Sequence, residues 1–82
     1  MHSVRIFSRA GCHLCELLIE EITPLLRGKA RLEVLDIDSR SDWRETYGTR
    51  VPVVELDGRF LCEITLDRAA LHKALSGTET ES

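Results

Sequence analysis

No stretch of this 82-residue chain comes near the eighteen or so apolar residues that a membrane span requires. The best candidate, Leu14 to Ile19, is broken by Glu16, so no membrane partner is expected. The amino end lacks a basic region, a long apolar core and a small-residue cleavage site, and export is not expected. The 11 Lys and Arg residues are scattered and the net charge is −3, which leaves no footprint for a phosphate backbone and predicts no nucleic-acid partner. Repeats and linkers are missing too, and the length leaves room for one domain with one modest core. The cysteine count of three is odd, which argues against a closed framework of structural disulfides and suits the reducing cytoplasm.

What is present reads as alternating short elements. Val4-Arg5-Ile6-Phe7-Ser8 alternates as a strand and stops at the turn Ser8-Arg9-Ala10-Gly11. From Cys12 onward Leu14, Leu18, Ile22 and Leu25 recur at helical steps, so a helix opens at the cysteines, with Pro24 expected to kink or restart it before Gly28. Arg31 to Ile37 is a second strand, and Asp38-Ser39-Arg40-Ser41 offers caps for a short helix reaching Tyr47. Gly48 is expected to terminate that helix in the left-handed region, and Thr49-Arg50-Val51 must be extended ahead of Pro52. Val53 to Leu56 and Arg59 to Cys62 flank Asp57-Gly58, the signature of a type I′ hairpin. Thr65 is expected to cap a last helix with Leu71 and Leu75 facing inward. Residues 1–76 form the domain and 77–82 a polar tail.

The chemistry concentrates in Cys12-His13-Leu14-Cys15, two thiols three residues apart on a first helical turn, where their side chains are neighbours. The leading sulfur meets the unpaired N–H groups and positive end of the helix, which favour a thiolate, so Cys12 is the nucleophile and Cys15 the resolving thiol. His13 between the thiols and Arg9 ahead of them are candidate substrate-binding groups, and Arg50 is a further candidate for steering an anion. The bland readings are an exposed polar His13 and solvated arginines. Cys62 reads as a small buried hydrophobe, and Trp43 with Tyr47 as core packing. The same Cys-x-x-Cys pattern also serves zinc or iron–sulfur sites, but His2, Cys62 and His72 lack ligand spacing, so no metal is expected. A redox-silent interaction module is the remaining alternative.

The segment Ser8-Arg9-Ala10-Gly11-Cys12-His13-Leu14-Cys15 resembles the basic-x-Gly-Cys-Pro-Tyr-Cys segment of glutaredoxins, and Arg50-Val51-Pro52-Val53-Val54 resembles their Thr-Val-Pro segment. With Tyr47-Gly48-Thr49-Arg50-Val51-Pro52-Val53, the chain resembles a short bacterial glutaredoxin-like group. That resemblance implies an α/β thioredoxin-like fold of order βαβαββα, a four-stranded mixed sheet flanked by helices. It further implies a monomeric thiol–disulfide oxidoreductase whose only redox group is the Cys12–Cys15 disulfide. Its substrate would be a disulfide-bearing protein or a small thiol, with Pro52 in cis beside the cysteines and Val51 holding the substrate backbone. Glutaredoxins carry Gly-Gly where this chain has Cys62-Glu63. The Glu63 carboxylate would repel the carboxylate of glutathione, which counts against the glutathione binding that the resemblance would otherwise imply.

Overall fold

A computed structural model of the chain describes residues 1–76, and the tail expected over 77–82 lies outside the described residues. In chain order it contains β1 (His2–Ser8), α1 (His13–Leu26), β2 (Ala30–Asp36), a 3-10 turn (Ile37–Ser39), α2 (Ser41–Tyr47), β3 (Val53–Leu56), β4 (Arg59–Glu63) and α3 (Arg68–Leu75). The strands form one sheet in the order β2-β1-β3-β4. β1 and β2 are parallel, as a helical crossover requires, while β3 and β4 add antiparallel neighbours. This is the α/β thioredoxin fold that the sequence resemblance implies.

Strand alternation divides the core between the two faces of the sheet. On one face Val4, Ile6, Val54, Leu56 and Cys62 pack with Leu18, Ile22 and Leu26 of α1 and Leu71 of α3. On the other, Phe7 and Val53 pack with Ile37, and Trp43 and Tyr47 of α2 close over them. Phe7 stacks on Tyr47 at 4.3 Å between ring centroids and meets Trp43 edge-on at 5.4 Å, so the two α2 aromatics are indeed core groups.

Several local expectations need correction. β1 begins two residues early because His2 and Ser3 are tied to the hairpin: Asp57 accepts hydrogen bonds from His2 Nδ1 at 2.6 Å and the Ser3 N–H at 2.8 Å. The buried stripe of α1 is Cys15, Leu18, Ile22 and Leu26, rotated from the expected one, and Leu14 is 45% exposed. α1 passes through Pro24 without restarting, since only two residues follow the proline and few intrahelical bonds are left to lose. The caps foreseen for α2 are spent elsewhere, Asp38 on Arg9 and Ser39 Oγ on the Asp36 carbonyl, and the capping residue is Arg40. α3 is capped by Asp67, the residue directly before it, which accepts from the Ala70 N–H at 3.0 Å, and not by Thr65.

Gly48 is also not left-handed. Its φ and ψ of −52° and −37° continue the right-handed helix, and its N–H donates to the Arg44 carbonyl at 3.0 Å. Glycine is needed there for space, since a Cβ would lie 2.5 Å from that carbonyl oxygen. The hairpin conforms to its sequence signature, with φ of 53° at Asp57 and 83° at Gly58.

Candidate functional site

The site grows from the end of β1. After Ser8 the chain turns through Gly11, whose φ of +80° suits a residue without a Cβ, and the Cys12 N–H donates to the Arg9 carbonyl at 3.1 Å. Cys12 then becomes the N-cap of α1: its backbone is extended, and its Sγ accepts the Cys15 N–H at 3.2 Å. Sulfur here takes the place of the serine or aspartate oxygen usual at an N-cap. Cys12 is half-buried, Cys15 is 2% exposed, and all three cysteines of the chain are free thiols. Burial, followed by its hydrogen bond to Cys12, pushes the Cys15 thiol up to about 11. Burial likewise raises the Cys62 thiol, which lies within the main core.

A second strand end comes to the same edge of the sheet. Phe7 pairs with Val53, so Pro52 precedes β3 at the level where β1 gives way to the cysteine turn. The Val51–Pro52 peptide bond is cis, Pro52 is buried and Val51 half-buried. The Pro52 carbonyl accepts the Ile64 N–H at 2.7 Å, which fastens the segment after β4 to the one before β3. Within that fastening, the Thr65 N–H donates to the Glu63 carbonyl at 2.7 Å, a γ-turn centred on Ile64. Ile64 has φ of 71°, a left-handed conformation that a β-branched residue occupies at a cost of about 1–3 kcal/mol.

The arginines near this edge are engaged. Arg9 donates through both Nε and Nη2 to Asp38, at 3.1 and 3.0 Å, which ties the cysteine turn to the 3-10 turn. That hydrogen bonding lowers the Asp38 carboxyl and raises the Arg9 guanidinium relative to their ordinary values. Arg50 donates from Nε to Glu63 at 2.8 Å and lies 5.8 Å from the ring centres of both Tyr47 and Phe60. His13 is exposed at the first position of α1. Cys12, Cys15, His13 and Arg9 are thus gathered on one turn, Val51 and Pro52 stand at the adjoining strand end, and the Arg9 fork is held by Asp38. Among the described residues, no three His, Cys, Asp or Glu side chains form a set able to hold a metal ion, and no helix is long and apolar enough to cross a membrane.

One feature of the edge escaped the sequence reading. A groove of about 150 Å³ runs between the first turns of α1 and the segment after β4, lined by Leu14, Leu17, Leu18, Glu21, Ile64, Thr65 and Leu66. Its sequence signal was an apolar face on α1 too wide for burial, since Leu14 and Leu17 lie outside the stripe that packs on the sheet.

Comparison with known proteins agrees with this fold. A solution NMR structure of a Nitrosomonas europaea protein is 31% identical, with 87% of each chain covered and a TM-score of 0.77. An X-ray structure of a structural-genomics target protein from X. campestris is 28% identical over 92% of this chain and 97% of that one, with a TM-score of 0.71. A buckwheat glutaredoxin–glutathione complex shares the fold at 20% identity, over 93% of this chain and 71% of that one, with a TM-score of 0.57. No curated protein matches the chain. The family model for the glutaredoxin-like domain (DUF836) matches residues 3–76, and the chain belongs to that family.

Proposed function

We propose that the chain is a thiol–disulfide oxidoreductase in which Cys12 attacks and Cys15 resolves. The observation that carries this reading is the 3.2 Å hydrogen bond from the Cys15 N–H to Cys12 Sγ at the head of α1, a donor placed to hold negative charge on that sulfur. In the first step the Cys12 thiolate attacks one sulfur of a substrate disulfide, forms a mixed disulfide and expels the other sulfur as a thiolate. Cys15 then loses its proton to that departing thiolate and attacks Cys12 Sγ. The second substrate sulfur leaves, and two electrons have passed from the enzyme dithiol to the substrate.

The order follows from what surrounds Cys15. Burial raises its thiol, and so do the hydrogen bond to Cys12 and the charge of Cys12. Once Cys12 is capped, the contributions of its charge and free sulfur vanish, and Cys15 becomes easier to ionise when it is needed. The backbone of Val51, before the cis peptide bond, is suited to hold an extended substrate, and Pro52 to wall the site. Arg9, through Asp38, is a positioning residue for the cysteine turn, and exposed His13 is free to approach an incoming anion. Three free thiols, an odd number, suit work in a reducing compartment such as the cytoplasm.

Equilibration in glutathione buffers of graded poise, followed by alkylation and mass mapping, tests the proposal. A Cys12–Cys15 disulfide is expected to appear as the buffer becomes oxidising, and Cys12→Ser is expected to abolish both that disulfide and disulfide reduction. Failure of the pair to oxidise at any poise would return the chain to a redox-silent interaction module.

A further inference from the structure

We propose that the disulfide this site accepts belongs to a polypeptide with a large apolar residue beside its cysteine, seated in the groove between α1 and the segment after β4, and does not belong to glutathione. The inference rests on the redox reading above and adds the substrate class.

The groove runs along α1 from Leu14, the residue before Cys15. Leu14 lies between Cys12 and Cys15 in sequence yet is 45% exposed, and Leu17, one turn on, is 47% exposed, while buried Leu18 supplies the floor. Ile64 and Leu66 form the opposite wall, and about 150 Å³ suits one apolar side chain rather than a whole tripeptide. Two half-exposed leucines on the first turns of the helix that Cys12 caps leave apolar surface in water that an apolar partner would cover.

Charge points the same way. Glutathione presents two carboxylates, which guanidinium groups would recognise. Three arginines of this region are each held by a carboxylate: Arg9 by Asp38, Arg50 by Glu63 at 2.8 Å, and Arg68 by Glu21 at 2.6 Å. The Glu21 pair also neutralises the one acidic residue lining the groove. Ile64 supplies a separate indication. A left-handed γ-turn would be unstrained with glycine, yet it carries an apolar β-branched side chain that lines the groove.

Three mixed disulfides of the chromogenic thiol 5-thio-2-nitrobenzoate test the assignment: one with a short peptide carrying Phe beside its cysteine, one with the same peptide carrying Ser there, and one with glutathione. With prereduced enzyme freed of added reductant, Cys12 attack on the peptide or glutathione sulfur releases the coloured thiolate, and Cys15 then attacks Cys12 Sγ and releases the peptide or glutathione thiol, so that a single turnover is read. We expect the Phe peptide to react at least about tenfold faster than the other two, as burial of one aromatic side chain allows. The double variant Leu14→Ser/Leu17→Ser should lose most of that preference, and Leu17→Ser alone part of it, with folding checked by thermal melting.

Equal rates for all three disulfides, or a preference for glutathione, would overturn the substrate assignment while leaving the Cys12 chemistry intact. A preference that fades as enzyme concentration rises would assign the groove to a second copy of this chain and also overturn it. Thiolate release that persists in Cys12→Ser would remove the redox reading itself, and this inference with it.

Discussion

The backbone N–H of Cys15 points at Cys12 Sγ from 3.2 Å, while the Cys15 side chain turns into the core and is 2% exposed. One residue therefore supplies a donor to the Cys12 sulfur through its backbone and keeps a second sulfur buried through its side chain. Chemical reactivity should divide along this line. Iodoacetamide at neutral pH is expected to modify Cys12 first, more than about tenfold faster than either buried thiol, since both accessibility and thiolate fraction limit Cys15 and Cys62. Peptide mapping over a time course checks the order. Early label on Cys15 or Cys62 would contradict the burial on which the mechanism depends.

The protonation of Cys15 also leaves a mark on stability. Burial first, then the neighbouring Cys12, raise its thiol from the ordinary 9.0 to about 11. The folded state thus binds this proton more tightly than the unfolded state. Its contribution to stability is complete below pH 9 and is lost as pH climbs toward 11. In urea titrations under reducing conditions, the wild-type midpoint is expected to fall over that window more steeply than the midpoint of Cys15→Ser. Cys62, raised in the same direction by burial, is present in both proteins and cancels in the difference. Parallel pH profiles would show that Cys15 titrates normally in the folded chain.

Much of this architecture could be read from the sequence, because its strongest signals are local. The alternation from Val4 to Phe7 and the Asp57-Gly58 pair each specify a conformation without reference to distant residues, and Cys12 lies at a helix start whatever α1 packs against. Misreadings arose where a distant partner decides. The stripe of α1 turned because Cys15 takes a buried position in it, which left Leu14 to line the groove. Asp38 looked like a helix cap but is taken by Arg9, which lies 29 residues away. Thr65 belongs to the γ-turn that follows β4, and Asp67, next to the helix, takes the cap. The roles of Val51 and Pro52 came from resemblance alone, since no periodicity in the sequence marks a substrate wall.

Gly48 and Ile64 invert the usual assignment of residue to backbone, and that inversion can be measured. Glycine occupies a right-handed position with φ of −52°, and isoleucine a left-handed one with φ of 71°. Alanine in place of Gly48 meets the Arg44 carbonyl oxygen at 2.5 Å, so Gly48→Ala is expected to destabilise by about 1–3 kcal/mol even though alanine favours that φ. At position 64 both Ile64→Ala and Ile64→Gly delete the groove wall, and only alanine retains the left-handed penalty. Ile64→Gly should therefore be the more stable of the two by about 1 kcal/mol, the reverse of the order found in strands and helices. Urea midpoints of the three variants read both effects. An alanine at 64 as stable as the glycine would mean that this turn is not left-handed, and that nothing in the backbone holds the isoleucine against the groove.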